Sequence, residues 1–103
     1  MISPQMALTA AHCVTAEENQ DAGNIEVQLV SGETYKIKEF RVNKCWDFTK
    51  NCGAGGPESA DIAIMVLDRP IENAVLGEDY VDIWNAATME SVEGKDFILA
   101  GWG

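Results

Sequence analysis

The sequence predicts an all-β protein, and two patterns support this class. Apolar and polar side chains alternate over residues 25–29, and an unbroken apolar run fills residues 62–67. Alternation is typical of a half-buried strand, whereas a short continuous apolar run is typical of a strand buried on both faces. The spacing of an amphipathic helix is weak throughout the chain, so strands are expected to dominate.

A β-hairpin is predicted over residues 25–42. The first strand carries Ile25, Val27 and Leu29 on one face, and the polar residues 31–33 form the turn. Tyr35 and Ile37 begin the return strand, but its next apolar residues are those at positions 40 and 42. Because the alternation slips between residues 37 and 40, we expect a β-bulge there.

The rest of the chain reads as loops with one further strand. Polar residues 15–24 and the glycine-rich residues 43–60 predict surface loops. Residues 71–96 are polar and acidic, and residues 97–100 begin another apolar strand. Four residues are the expected anchors of the acidic stretch: Tyr80, Val81, Ile83 and Trp84.

Length and charge restrict the class of protein. A chain of 103 residues is one small domain or a piece of a larger one, and its net charge is −10. An acidic chain repels phosphate groups, which argues against nucleic acid and anionic membrane surfaces as partners. The charge favours solubility, with a preference for a basic partner as the alternative. No apolar run is long enough to span a membrane, and no signal peptide is present in the chain as it stands.

The single histidine of the chain lies in the sequence Leu-Thr-Ala-Ala-His-Cys, residues 8–13. Asp61 follows His12 by 49 residues and begins the sequence Asp-Ile-Ala-Ile-Met-Val-Leu, and the chain ends in Gly-Trp-Gly at residues 101–103. In this order the three segments resemble serine proteases of the trypsin/chymotrypsin type. The resemblance implies that His12 is the general acid/base and that Asp61 is the carboxylate that orients it.

The chemistry of such enzymes explains why a histidine and an aspartate are needed. A serine hydroxyl is a poor nucleophile at neutral pH, so it requires a base with a pKa near 7. A carboxylate that accepts from Nδ1–H fixes the tautomer of the ring and stabilises the imidazolium. The alternatives are a histidine without catalytic duty at position 12 and a solvated acid at the start of a strand at position 61.

No serine of the chain has the sequence context of the nucleophile. In the resembled family that serine lies in a Gly-Asp-Ser-Gly-Gly sequence well downstream of Gly-Trp-Gly, beyond this chain. The four serines present are Ser3, Ser31, Ser59 and Ser91. None has neighbours that would also build an oxyanion hole, so we assign no nucleophile.

The resemblance also implies an architecture of two antiparallel β-barrels with the catalytic groups between them. This chain corresponds to an incomplete trypsin-like barrel: residues 1–70 form the first barrel without its first strands, residues 71–96 the connector, and residues 97–103 the first strand of the second barrel. We therefore expect the sequence to be a fragment of a secreted, extracellular protease.

The three cysteines do not predict a metal site, because no Cys-x-x-Cys spacing occurs. In the resembled family the cysteine after the histidine pairs with one upstream, so Cys13 is expected to lack its partner. Cys45 and Cys52 either form a local disulfide or are two free thiols. We expect no cofactor and no metal. Polypeptide substrates and protein inhibitors are the expected partners, and the oligomeric state is open.

Three hypotheses for function follow. The first is an enzyme, a serine endopeptidase of which this chain holds only part of the triad. The second is a catalytically dead homologue that acts as a binding or regulatory protein. The third is an independent small β domain, for which three ordered motif matches would be coincidence.

We expect the isolated 103-residue chain to fold poorly, to associate or to be inactive. A barrel that lacks strands leaves unpaired backbone groups at its open edges. Monomeric protein with well-dispersed NMR resonances would contradict this expectation. The intact mass of the native protein is a second check, and we expect a value well above 11.2 kDa.

Overall fold

A computed structural model describes residues 1–15, 24–46, 60–83 and 93–101. These residues form a four-stranded antiparallel sheet in the order β1-β4-β3-β2. The strands are β1 (Met6–Thr9), β2 (Glu26–Gln28), β3 (Thr34–Val42) and β4 (Ala63–Leu67). A short helix, α1 (Ala11–Thr15), follows β1, and a 3-10 helix (Lys44–Trp46) follows β3. The predicted all-β class is confirmed.

Strand β4 lies in the interior of the sheet and pairs on both edges. Met65 is opposite Ala7 of β1 on one side and opposite Phe40 of β3 on the other. The pairing continues one residue before β1, where Leu67 N–H donates to Gln5 C=O at 2.9 Å and the Gln5 side-chain Nε2 donates to Leu67 C=O at 2.9 Å. The apolar run of β4 therefore carries the pairing that joins the N-terminal segment to the hairpin.

The predicted hairpin is present as β2 and β3, with Val27 opposite Tyr35. Its turn is closed by hydrogen bonds from Leu29 N–H to Glu33 C=O (2.9 Å) and from Gly32 N–H to Leu29 C=O (2.8 Å). Gly32 has a φ of 92°, which a residue without a Cβ adopts at little cost. The register with β4 shifts between Ile37 and Glu39, so the predicted bulge is confirmed.

The main core packs on one face of this sheet. Its buried residues are Tyr35, Ile37, Leu67 and Ile71. Val27 of β2 and the flanking Ile25 and Leu29 pack against them. Full burial of a leucine side chain such as that of Leu67 contributes about 2 kcal/mol. The Arg69 guanidinium covers the Tyr35 ring, 4.3 Å from its centroid. Burial raises the pKa of Tyr35, and the Glu33 carboxylate beside its hydroxyl raises it further.

A second, smaller core holds α1 against β4. Ala11, Val14 and Ala63 are buried there, and Phe40 and Trp46 pack around them. Small side chains at positions 11 and 63 allow the helix backbone to approach the strand closely. Ala11 of the histidine motif thus packs α1, a helix of five residues, onto the sheet.

The opposite face of the sheet corrects one prediction. The run 62–67 was expected to be buried on both faces, yet Ile62 is 42% exposed and its neighbour Leu8 is 46% exposed. These two residues, with Ile64 and Ile83, line an apolar hollow of about 300 Å³. Val66, on the same face of β4 as Ile64, is buried, so the described residues cover this face at the Val66 end and leave it open at the Ile62 end.

Two further predictions in the second half of the chain are wrong. Val81 and Ile83 are exposed, and Ile71 anchors this stretch instead because it enters the main core. Residues 97–100 form no strand, and Phe97 and Leu99 are exposed because no strand among the described residues pairs with them. Tyr80 is half-buried.

Several predictions fall on residues that the structure does not describe. These are most of the loop 15–24, the loop 43–60 beyond Trp46, Trp84, and the terminal Trp102 and Gly103. Cys52 is also outside the described residues, so its bridge to Cys45 stays a prediction. The helices that the structure does describe are all too short or too polar to cross a bilayer.

Replacing Leu67 with alanine should lower the free energy of unfolding by about 2–5 kcal/mol, because the change removes a fully buried side chain and leaves a cavity. Urea unfolding measures the loss. Leu76→Ala is the matched control, since Leu76 is 52% exposed and its truncation should cost much less. Equal losses for the two variants would contradict the placement of the core.

Candidate active site

Helix α1 positions His12. Ala11 before it is fully buried against β4, whereas the His12 side chain is 63% exposed. The helix is closed by a hydrogen bond from Cys13 N–H to Ala10 C=O at 3.2 Å and by one from Thr15 Oγ1 to Ala11 C=O at 2.9 Å. Because Ala11 is buried against β4, the backbone before His12 is anchored to the sheet. The imidazole ring itself lies at the surface.

Asp61 lies two residues before β4, where the chain enters the sheet. Ala60 is buried, and Ile62 N–H donates to Ala60 C=O at 2.7 Å, which makes a tight turn around Asp61. On the other side, Asn43 N–H donates to Ile62 C=O at 3.2 Å. The strand and these backbone bonds fix the direction from which the carboxylate meets α1.

The structure brings His12 and Asp61 together through both carboxylate oxygens. The backbone N–H of His12 donates to Oδ1 at 2.9 Å, and Nδ1 of the ring lies 2.6 Å from Oδ2. With an ionised carboxylate, Nδ1 carries the proton and donates. One bond fixes the helix relative to Asp61 and the other fixes the ring, so the tautomer and the orientation are set together.

The surroundings of Asp61 favour its charged form. The His12 backbone N–H lowers the pKa of Asp61 most, followed by the His12 side chain, while partial burial opposes them. The positive charge of a protonated His12 and the backbone N–H of Ala11 lower this pKa further. The carboxylate therefore remains ionised at neutral pH and can balance an imidazolium.

The second ring nitrogen of His12, Nε2, is available for proton transfer. Because Nδ1–H is engaged with Asp61, a neutral His12 has its lone pair on Nε2. The exposure of the ring leaves this atom accessible to another molecule or another part of the protein. An imidazole held in this way can accept a proton and return it, which is general acid–base chemistry.

The serines that the structure describes do not contact this pair. Ser3 Oγ accepts from Gln5 N–H at 3.2 Å, and Ser31 Oγ accepts from Glu33 N–H at 3.4 Å in the hairpin turn. Ser59 and Ser91 are outside the described residues. Within the described ranges, no three or more His, Cys, Asp or Glu side chains lie close enough to share a metal ion.

Sequence reasoning missed two residues beside the site. Trp46 Nε1 donates to Thr15 Oγ1 at 3.2 Å, which links the 3-10 helix to the end of α1. Thr15 lies one turn after Ala11, a spacing at which a threonine hydroxyl reaches the carbonyl four residues back. That spacing was visible in the sequence, whereas the contact with Trp46 depends on the fold.

The family model of trypsin matches the chain over residues 1–103. The chain belongs to the trypsin family. No curated protein matches it. Its four-stranded antiparallel sheet is an incomplete trypsin-like barrel, as the sequence predicted. Members of the trypsin family act in general on polypeptides. The paired His12 and Asp61 are the candidate site for such chemistry in this chain.

Stability should depend on Asp61 in acid. The folded protein holds the pKa of Asp61 below the ordinary value of 3.8. The stabilisation that ionised Asp61 gives the folded state is therefore complete above that value, and it is lost as the pH falls through the lower, folded pKa. Wild-type protein should therefore exceed Asp61→Asn in unfolding free energy most at neutral pH, and the difference should shrink below about pH 4.

Urea unfolding from about pH 7 to about pH 2 tests this dependence. Asp82→Asn removes the same charge from an exposed carboxylate and serves as the control. A difference between wild type and Asp61→Asn that stays constant over this range would contradict the low pKa of Asp61.

Proposed function

We propose that this chain supplies the general base and the orienting carboxylate of a serine endopeptidase. The observation that carries the proposal is the two-point contact of Asp61 with the backbone N–H and the Nδ1 of His12. A surface ion pair between flexible side chains would not need the backbone bond. Both residues also occupy the positions that the resemblance to the trypsin family assigns to these roles.

The proposed mechanism follows from the tautomer. His12 Nε2 removes the proton of the serine hydroxyl as its oxygen attacks the peptide carbonyl, and His12 then returns that proton to the leaving amine. Asp61 stays ionised, holds the ring and stabilises the imidazolium between these steps. Water then attacks the acyl-enzyme by the same steps and releases the carboxylic acid product. The serine and the oxyanion donors are not among the residues that we assign.

The wider setting follows from the family and forms part of the proposal. Polypeptides are the substrates, protein inhibitors are potential partners, and the protein acts outside the cell. Residues 1–70 contribute to the first barrel, residues 71–96 connect the barrels, and residues 97–103 open the second. A disulfide between Cys45 and Cys52 would brace the loop that precedes Asp61.

The second candidate is a binding or regulatory homologue without catalysis. Intact His12 and Asp61 disfavour it, and the two described serines, which accept from Gln5 N–H and Glu33 N–H, do not decide between the candidates. The two candidates differ in one property, which is the presence of a serine that His12 activates. A covalent probe directed at activated serines distinguishes them.

We expect the full natural protein to react with a fluorophosphonate probe and to hydrolyse a casein substrate. Asp61→Asn should keep the fold and lower kcat about 10⁴-fold, as the same change does in the Ser-His-Asp template. Asp82→Asn removes the same charge from an exposed carboxylate, is the control and should retain activity. Absence of labelling in folded wild-type protein would refute the protease and leave the binding protein.

A further inference from the structure

The turn formed by residues 43–46 contacts both elements that carry the candidate catalytic pair. Its first residue, Asn43, donates its N–H to Ile62 C=O (3.2 Å), next to Asp61. The turn is internally closed, since Cys45 N–H donates to Asn43 Oδ1 at 2.9 Å and Trp46 N–H donates to Asn43 C=O at 3.0 Å. The turn is therefore held to the segment that leads from Asp61 into β4.

The other end of the turn reaches the helix that bears His12. The indole Nε1–H of Trp46 donates to Thr15 Oγ1 at 3.2 Å, and the Thr15 hydroxyl donates to Ala11 C=O at 2.9 Å. The Trp46 ring also packs against the small core that contains Ala11 and Val14. A donor, a relay and an acceptor thus connect the turn to the first residue of α1.

The end point of this relay matters because of peptide geometry. Ala11 C=O and His12 N–H belong to one planar peptide unit. Thr15 donates to its carbonyl end, while its N–H end donates to Asp61 Oδ1 at 2.9 Å. A continuous line of hydrogen bonds therefore runs from Trp46 through Thr15 and this peptide to Asp61, and such lines strengthen their members by mutual polarisation.

We propose that Trp46 is a positioning residue, which acts through Thr15 to hold the Ala11–His12 peptide and the His12 ring on Asp61. Helix α1 has only five residues, and a helix of that length is unstable without external contacts. Its orientation therefore depends on the packing of Ala11 and Val14 and on the bond from Trp46. The catalytic consequence rests on the proposed protease function, whereas the geometric consequence does not.

The test uses the full natural protein and variants at Trp46 and Thr15. Trp46→Phe keeps an aromatic ring but removes the donor, Thr15→Val removes the relay, and Thr15→Ser retains it. Thr34→Val removes a hydroxyl from the exposed start of β3 and is the matched control. The first readout is the NMR signal of the His12 Nδ1 proton, identified by its loss in Asp61→Asn. The second is the kcat and KM for casein hydrolysis.

We expect Trp46→Phe and Thr15→Val to accelerate solvent exchange of the Nδ1 proton and to lower kcat roughly tenfold with little change in KM, since small displacements of a catalytic base are costly. Thr15→Ser and Thr34→Val should behave as wild type. The double variant Trp46→Phe/Thr15→Val should lose no more than Thr15→Val alone, because both changes break the same line of bonds.

Three outcomes would overturn the proposal: an unchanged Nδ1 signal in folded Trp46→Phe, equal damage by Thr15→Ser and Thr15→Val, or additive losses in the double variant. Circular dichroism of each variant identifies one that is unfolded, and Thr15→Ser then still tests the relay against Thr15→Val. If wild type neither labels nor hydrolyses casein but the Nδ1 signal responds as expected, the protease function fails and the positioning role stands.

Discussion

Pairing on both edges of β4 is the constraint on which the rest of the structure depends. This strand joins β1 to β3 and packs Ala63 against α1 at one end. At its other end, Leu67 closes the main core. Asp61 lies just before β4 and His12 lies shortly after β1. The hydrogen-bond ladder between these two strands therefore also sets the distance between the two side chains. Stability and the candidate site therefore depend on the same backbone hydrogen bonds.

The candidate site combines a backbone anchored to the sheet with an exposed imidazole ring. Ala11 is buried and carries no side-chain freedom, so the peptide before His12 is fixed against the sheet. Asp61 is 29% exposed, which lets it stay ionised while it accepts from His12. A fully buried carboxylate would require more partners to offset its desolvation. The arrangement orients an imidazole without isolating it from solvent.

Among the described residues, the sheet also presents an apolar face that is only partly covered. Leu8, Ile62 and Ile64 lie on the side opposite the main core, and Ile83 adds to the same hollow. The run formed by Ile62 and β4, apolar at every position from 62 to 67, suits burial on both faces. Among the described residues this face is buried at Val66 and exposed at Leu8 and Ile62, so burial on both faces holds for only part of the run.

By itself, the sequence determined the all-β class, the hairpin with its turn at Gly32 and its bulge, and the two residues most worth examining. These features depend on local alternation, turn chemistry and motifs, which short windows of sequence contain. Only the tertiary structure decided that Val81 and Ile83 are exposed, that residues 97–100 pair with no strand in the described part of the chain, and that Trp46 reaches Thr15. Each of these depends on which distant segments meet, and contacts between residues far apart in the chain leave no periodic pattern in the sequence.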